Sequence, residues 1–290
     1  MTVNALPDAV AAALADPTAG ERGTVNAAGI PWSALQWGDP GDRPLLLIHG
    51  VTSSAEAWWR VGPALAATGR RVIAVDQAGH GLTGHWQGHY RFRDNAKDIA
   101  AFIRAAGLDR PDLQVIGHSW GAATAAALPT AGVRPATLIL LDPPVLPLER
   151  ISLEASDPSQ QPAASLDEAI EAVREAYPDW VDGDVMAKAN ATMQLDFDAA
   201  RSVLLDNGDW DGGLADLQDP AAHGLDAWLV RGEPQTGGYI DNEAARAFGD
   251  VIGHDRVVTI TGGPHSPQRT HPVETIAAFL RALGPGGGTG

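Results

Sequence analysis

The 290-residue chain has no cysteine. It can therefore build neither a disulfide framework nor a thiolate metal site. That composition fits a reducing compartment, and a cytoplasmic location is expected. Lysine is nearly absent, with only Lys97 and Lys188, and the formal charge is −16. A nucleic-acid partner needs a basic stripe to neutralise phosphates, so none is expected. No apolar run approaches the ~18 residues of a membrane span, so a membrane partner is not expected either. Residues 1–22 lack the basic start of a secretory signal and carry Asp8 and Asp16; they are expected to form a short leader. No glycine-rich turn has dinucleotide spacing and no metal-ligand cluster is visible, so no cofactor and no metal are expected.

What is present is an apolar fraction of 44%, enough for a sizeable core, distributed as short runs. Thr24–Ala27 and Ser33–Trp37 flank Ala28-Gly29-Ile30-Pro31, the pattern of an antiparallel hairpin. Pro44–Ile48 is a continuous apolar run of the kind that suits a strand buried on both faces, and Arg71–Val75, Ala136–Leu141, Asp226–Val230 and Arg256–Ile260 read as further strands. Helical periodicity separates them at Ala55–Ala67, Arg93–Ala106, Asn242–Phe248 and Pro272–Leu283. Strands alternating with helices imply an α/β fold with a mostly parallel central sheet covered on both faces. The alternation stops between Val145 and Pro220, where Leu166–Tyr177 and Val185–Leu204 read as amphipathic helices without a buried strand. The expected organisation is a core of residues 23–144 and 221–283, an inserted helical cap at 145–220, and a disordered glycine-rich tail at 284–290.

The stretch that carries chemistry is Gly117-His118-Ser119-Trp120-Gly121, which follows the apolar run Leu113-Gln114-Val115-Ile116 and precedes an alanine-rich helix. G-x-S-x-G between strand and helix is the pattern of a nucleophile elbow. Small residues on either side let the chain bend sharply and hold the serine Oγ clear of the backbone. Other motifs stand around it in order: His49-Gly50 after one strand, Asp76-Gln77-Ala78-Gly79-His80-Gly81 after the next, and Gly262-Gly263-Pro264-His265-Ser266-Pro267 near the end.

In these motifs and their order the sequence resembles the α/β-hydrolase family, over nearly its whole length. The resemblance implies that Ser119 is the nucleophile and that His265, in the loop after the last strand, is its base. It implies an oxyanion hole made by the backbone N–H of Trp120, after the nucleophile, and by that of Val51, with Thr52 a close alternative. Two carboxylates compete for the acid. The family's usual position, three residues after Gly232, holds Gln235, with Glu233 displaced nearby; Asp142 ends the strand after the elbow helix, where some members, zearalenone-type lactonases among them, keep their acid. Asp142 is preferred and both are carried forward. His118 is expected to point away from Ser119, and His49 and His80 to be structural. His85, His89, His223, His254 and His271 have no motif support. Trp58 and Trp59 either wall an acyl pocket or pack in the core.

A serine at the elbow argues against haloalkane dehalogenases and epoxide hydrolases of this fold, which use an aspartate there. The expected reaction is hydrolysis of a carboxylic ester or lactone. Rival readings are carbon–carbon bond hydrolysis on the same triad, or a ligand receptor of the same fold without turnover. Residues 143–223 hold 17 acidic residues against four basic ones. Charge of that density facing the serine would disfavour anions, so a neutral, apolar small molecule is expected as substrate. Ile151, Leu153, Val185, Met186, Met193, Leu195 and Phe197 are candidates for the underside of a lid, and Trp180 and Trp210 for ring stacking.

Overall fold

The computed structural model describes residues 6–84, 90–156 and 162–286. Ten strands run in chain order: β1 (Glu21–Ala27), β2 (Ile30–Trp37), β3 (Arg43–Ile48), β4 (Arg70–Val75), β5 (Gln114–His118), β6 (Thr137–Leu141), β7 (Val145–Leu146), β8 (Trp210–Asp211), β9 (Ala227–Arg231) and β10 (Val257–Thr259) among the described residues. The helices are α1 (Asp8–Ala15), α2 (Val61–Ala66), α3 (Phe92–Ala105), α4 (Trp120–Ala126), α5 (Leu148–Ala155), α6 (Leu166–Ala176), α7 (Asp182–Met193), α8 (Phe197–Leu205), α9 (Leu214–Leu217), α10 (Asn242–Ile252), α11 (Pro267–Thr270) and α12 (Pro272–Leu283). None of the described helices is long and apolar enough to cross a membrane.

Eight strands form one sheet in the order β1-β2-β4-β3-β5-β6-β9-β10. β1–β2 and β2–β4 pair antiparallel, and every later neighbour pairs parallel. The central strands are apolar through their middles because both faces are covered, with polar residues such as Arg70, Gln114, His118 and Thr137 at their ends. Along β5 and β6, Val115, Leu138 and Leu140 face the side of α3 and its Phe102, while Ile116, Ile139 and Leu141 face Phe279 of α12. Each such fully buried aliphatic side chain contributes about 1.5–3 kcal/mol relative to exposure. The amphipathic faces of α3 (Ile99, Phe102, Ile103) and α12 (Ile276, Phe279, Leu283) close the two layers.

Two expected helices are broken in the structure. Over 55–67 a 3-10 turn, Ala55–Trp58, precedes α2. Pro63 has no N–H to donate back to Trp59, so a continuous helix through this stretch would lose a backbone bond. Over 185–204 the chain forms α7 and α8, separated at Gln194–Asp196. Asp196 caps α8 by accepting from the N–H groups of Asp198 and Ala199 at 3.0 and 3.2 Å, and its own N–H donates to Gly79 O. A capping carboxylate ends one helix and starts the next even though the apolar period continues. The segment between β6 and β9 also contains a pairing that its sequence does not announce: β7 and β8 join antiparallel through Val145–Asp211 and Leu146–Trp210. This two-residue ladder ties together the ends of the helical stretch α5–α8. Of the expected tail, Gly284 O accepts from the Arg70 guanidinium at 2.7 Å, and residues 287–290 lie outside the described residues, as do His85 and His89.

Candidate active site

The elbow follows from where its neighbours leave room. A Cβ on Gly117 would lie 2.3 Å from Gly121 O, and a Cβ on Gly121 would lie 2.4 Å from His49 O. Both positions therefore need glycine for β5 to turn directly into α4. Ser119 sits between them at φ 55°, ψ −125°, a conformation costly for a residue with a Cβ. Its N–H donates to Leu141 O at 2.9 Å, and its C=O accepts from Ala122 N–H, which fixes the turn against β6.

Three side chains from distant parts of the sequence meet there. Ser119 Oγ donates to His265 Nε2 at 3.0 Å, and His265 Nδ1 donates to Asp142 Oδ2 at 2.7 Å. Asp142 is fully buried at the end of β6, at φ 42°. Its carboxylate also accepts from the N–H groups of Gly232 and Tyr239 at 3.0 and 2.9 Å. Those two donors hold the carboxylate in place, and the carboxylate in turn selects the imidazole tautomer with an open Nε2. Glu233 does not reach the imidazole. Its carboxylate accepts from Gly262 N–H at 3.1 Å, and its N–H donates to Gly263 O, so it braces the loop that carries His265. Gln235 lies exposed in a 3-10 turn.

Among the described residues the N–H groups of Val51 and Trp120 donate to no protein acceptor, and Val51 lines the same cavity as Ser119. His49 shapes that loop: its Nδ1 donates to Gly50 O at 2.7 Å and its Nε2 accepts from Gln77 N–H at 3.0 Å. Burial pushes the His49 imidazole down to about 4 and that of His80 to about 3, so both are neutral. The two rings pack against Trp120 beneath the elbow, His80 tilted at 5.0 Å from the indole and His49 edge-on at 6.3 Å.

His118 departs from expectation. Its ring lies 4.9 Å from that of His265 and its Nε2 donates to the His265 carbonyl at 2.9 Å, so it stands beside the serine's partner and lines the cavity. Burial, and after it the neighbouring His265, hold His118 well below the usual imidazole range. A neutral His118 can donate one fixed bond without adding charge. Tyr239, which sequence reasoning did not single out, covers His265 from another side with its ring 4.2 Å away.

The cavity over Ser119 measures about 340 Å³ and is roofed by the segment between β7 and β8. Ile151, Tyr177, Trp180 and Lys188 contribute from that segment, and Trp210 from β8 itself. Trp58 is in the core, and Trp59 turns away to donate to Asp184, so neither walls the pocket. Leu153, Met186 and Met193 are exposed on the outside of the segment. The acidic residues of this segment do not face the site: among the described residues no Asp or Glu lines the cavity, whereas Lys188 and Arg269 do. Described carboxylates of this segment instead cap a helix (Asp196), bind arginines (Asp184, Asp182) or accept from a backbone N–H (Asp209). No described group of three or more His, Asp or Glu side chains is gathered to hold a metal ion.

Comparison with known proteins bears on the fold. A family model described as alpha/beta hydrolase fold matches residues 43–237. Lipase LipV of Mycobacterium tuberculosis is 28% identical over 86% of this chain and 97% of its own length. Epoxide hydrolase B of the same organism is 35% identical over a shorter stretch, 28% of this chain and only 23% of the relative. Among solved structures, an N-formylmaleamic acid deformylase from Pseudomonas putida superposes with a TM-score of 0.71 at 24% identity, over 89% of this chain and all of that one. With the parallel sheet, the strained serine turn and a family model spanning most of the chain, this protein belongs to the alpha/beta hydrolase family.

Proposed function

We propose that the protein is a serine hydrolase that cleaves a carboxylic ester or lactone through an acyl-enzyme. The observation that carries this reading is the continuous chain of hydrogen bonds from Ser119 Oγ through His265 to Asp142, opening at its serine end into the cavity. Ser119 Oγ attacks the carbonyl carbon while His265 Nε2 takes its proton. The tetrahedral oxyanion accepts from the Val51 and Trp120 N–H groups, and the imidazolium is stabilised by Asp142. His265 then protonates the leaving alkoxide. Water, deprotonated by the same Nε2, attacks the acyl-enzyme and releases the acid. A serine at the elbow favours acyl transfer over epoxide opening, despite the partial similarity to an epoxide hydrolase.

The test is Ser119→Ala together with a fluorophosphonate. The variant is expected to lose on the order of 10⁴-fold or more in kcat on short-chain nitrophenyl esters while keeping the wild-type unfolding midpoint. The reagent is expected to add one adduct to wild type, at Ser119, and none to the variant. Wild-type turnover in Ser119→Ala would remove the nucleophile assignment. A single turnover without recycling would favour a receptor over an enzyme.

A further inference from the structure

Lys188 is one of two lysines in a chain of charge −16, and it stands in the wall of the cavity that holds Ser119 and His265. It projects from α7. Its Nζ donates to Thr52 O at 2.7 Å and to Thr52 Oγ1 at 2.8 Å, both neutral acceptors. An ammonium has three N–H groups, so one donor remains beyond these two. No carboxylate among the described residues pairs with it.

The charges nearby do not supply a counterion. Arg269 lines the same cavity, lies 4.4 Å above the Trp180 ring and donates to Asp184 at 3.3 Å. Arg60 donates to the other oxygen of that carboxylate at 3.2 Å. One aspartate thus serves two guanidiniums, and Lys188 adds a third cation. Glu56 is held elsewhere, by Arg22 at 3.1 Å and by Asn190. The wall of the site is cationic inside a strongly anionic protein. Burial pushes the Lys188 ammonium down to about 7, and Arg269 acts in the same direction. Near neutral pH the wall therefore holds Lys188 only partly charged, and an anionic ligand on its remaining N–H would draw it to the ammonium form.

We propose that Lys188, with Arg269 behind it, forms a carboxylate subsite, so that the substrate is a small ester bearing a free carboxylate a few atoms from the scissile carbonyl. This deepens the serine-hydrolase reading and rests on it. Thr52, which accepts from Lys188, directly follows Val51, whose N–H is assigned to the oxyanion; a carboxylate on Lys188 would therefore lie close to the reacting carbonyl. The acidic insertion had suggested neutral substrates, but that inference required its carboxylates to face the serine. Their places are taken by Lys188 and Arg269.

Two substrates separate the roles of the lysine: mono-4-nitrophenyl succinate and its methyl ester, equal in reacting bond and different in charge. Wild type is expected to favour the anionic ester in kcat/KM by about 10-fold or more at low salt. Lys188→Met is expected to cut that preference by about 10- to 100-fold, the range of a charge-assisted hydrogen bond, and Lys188→Arg to restore part of it. A lysine that merely braces Thr52 would lower both substrates equally, and that result overturns the proposal, as does a wild type that prefers the methyl ester. Calorimetric titration of Ser119→Ala with succinate keeps the subsite testable apart from turnover. Binding that weakens at least 10-fold in Ser119→Ala/Lys188→Met supports it, and no binding to Ser119→Ala overturns it. A wild type inert to both esters and to fluorophosphonate, but binding succinate through Lys188, would sink the hydrolase reading and leave the anion site standing.

Discussion

A carboxylate that orients an imidazole has to be held in place itself, and here Asp142 and Glu233 differ. Asp142 receives the N–H groups of Gly232 and Tyr239 as well as His265 Nδ1, from a buried strand end. Glu233 receives Gly262 N–H on the loop side, and its backbone is occupied by Gly263. Asp142→Asn presents either an amide oxygen or an amide nitrogen to His265, and neither supports both the required tautomer and the imidazolium. A loss of about 10⁴-fold in kcat is expected, by analogy with protease triads. Glu233→Gln keeps an oxygen for Gly262 and is expected to cost less than about 10-fold. Steady-state kinetics of the pair, on an ester whose cleavage is rate-limiting, checks this. A large loss confined to Glu233→Gln would transfer the role. Both candidates were visible in the sequence because each follows an apolar run; what the sequence lacked was the β6–β9 pairing that brings Gly232 N–H onto Asp142.

Among the elements, α7 has the closest bearing on the site, because it carries Lys188 and is tied to the core by one residue a turn earlier. Asp184 accepts from Trp59 Nε1 at 3.1 Å and from the guanidiniums of Arg60 and Arg269, with the Asp184 and Arg269 side chains 1% and 4% exposed. Removing a carboxylate shared by a buried and a partly buried guanidinium leaves them uncompensated, so Asp184→Ala is expected to cost on the order of 3–5 kcal/mol in urea unfolding. A change below about 1 kcal/mol would mean that water already supports both arginines. Much at this scale was legible beforehand. The parallel strands announce themselves because a strand covered on both faces is apolar on consecutive positions through its middle, and the elbow because only glycine clears the carbonyls beside it. The break before α2 and the division of α7 from α8 were not, since Pro63 removes one backbone bond and Asp196 makes a side-chain cap, neither of which an averaged apolar period registers. Lys188 and His118 were illegible for another reason: their partners lie 136 and 147 residues away. A lone lysine in an acidic helix reads as solvated until the fold places Thr52 beneath it.

At the scale of the whole molecule, charge and burial pull stability in opposite directions as pH falls. Protonating carboxylates relieves the self-repulsion of a chain at −16, which favours the folded state toward its isoelectric point near 4.8. The buried histidines oppose this. His49 and His80 stay neutral when folded down to about 4 and about 3, and His118 also lies well below the ordinary value of 6.5 that all three regain on unfolding. Between those limits the unfolded chain binds protons that the folded chain does not. Their contribution is therefore complete above pH 6.5 and is lost as pH falls through the window, at about 1.4 kcal/mol per pH unit for each titrating imidazole. His80 isolates the effect: burial first, then His49, lower it, while the Ala78 carbonyl, Asp76 and Asp196 raise it less. Its Nδ1 donates to Ala78 O at 3.0 Å, a bond that a glutamine amide can also donate. Urea midpoints of wild type and His80→Gln, measured from pH 7 to 4.5, share the relief of surface charge, so their difference reports the histidine alone. The wild type is expected to lose about 1.4 kcal/mol more per unit than the variant below pH 6.5. Parallel curves would mean that His80 takes up its proton equally in both states, and that the imidazoles under Trp120 are not held neutral by the fold.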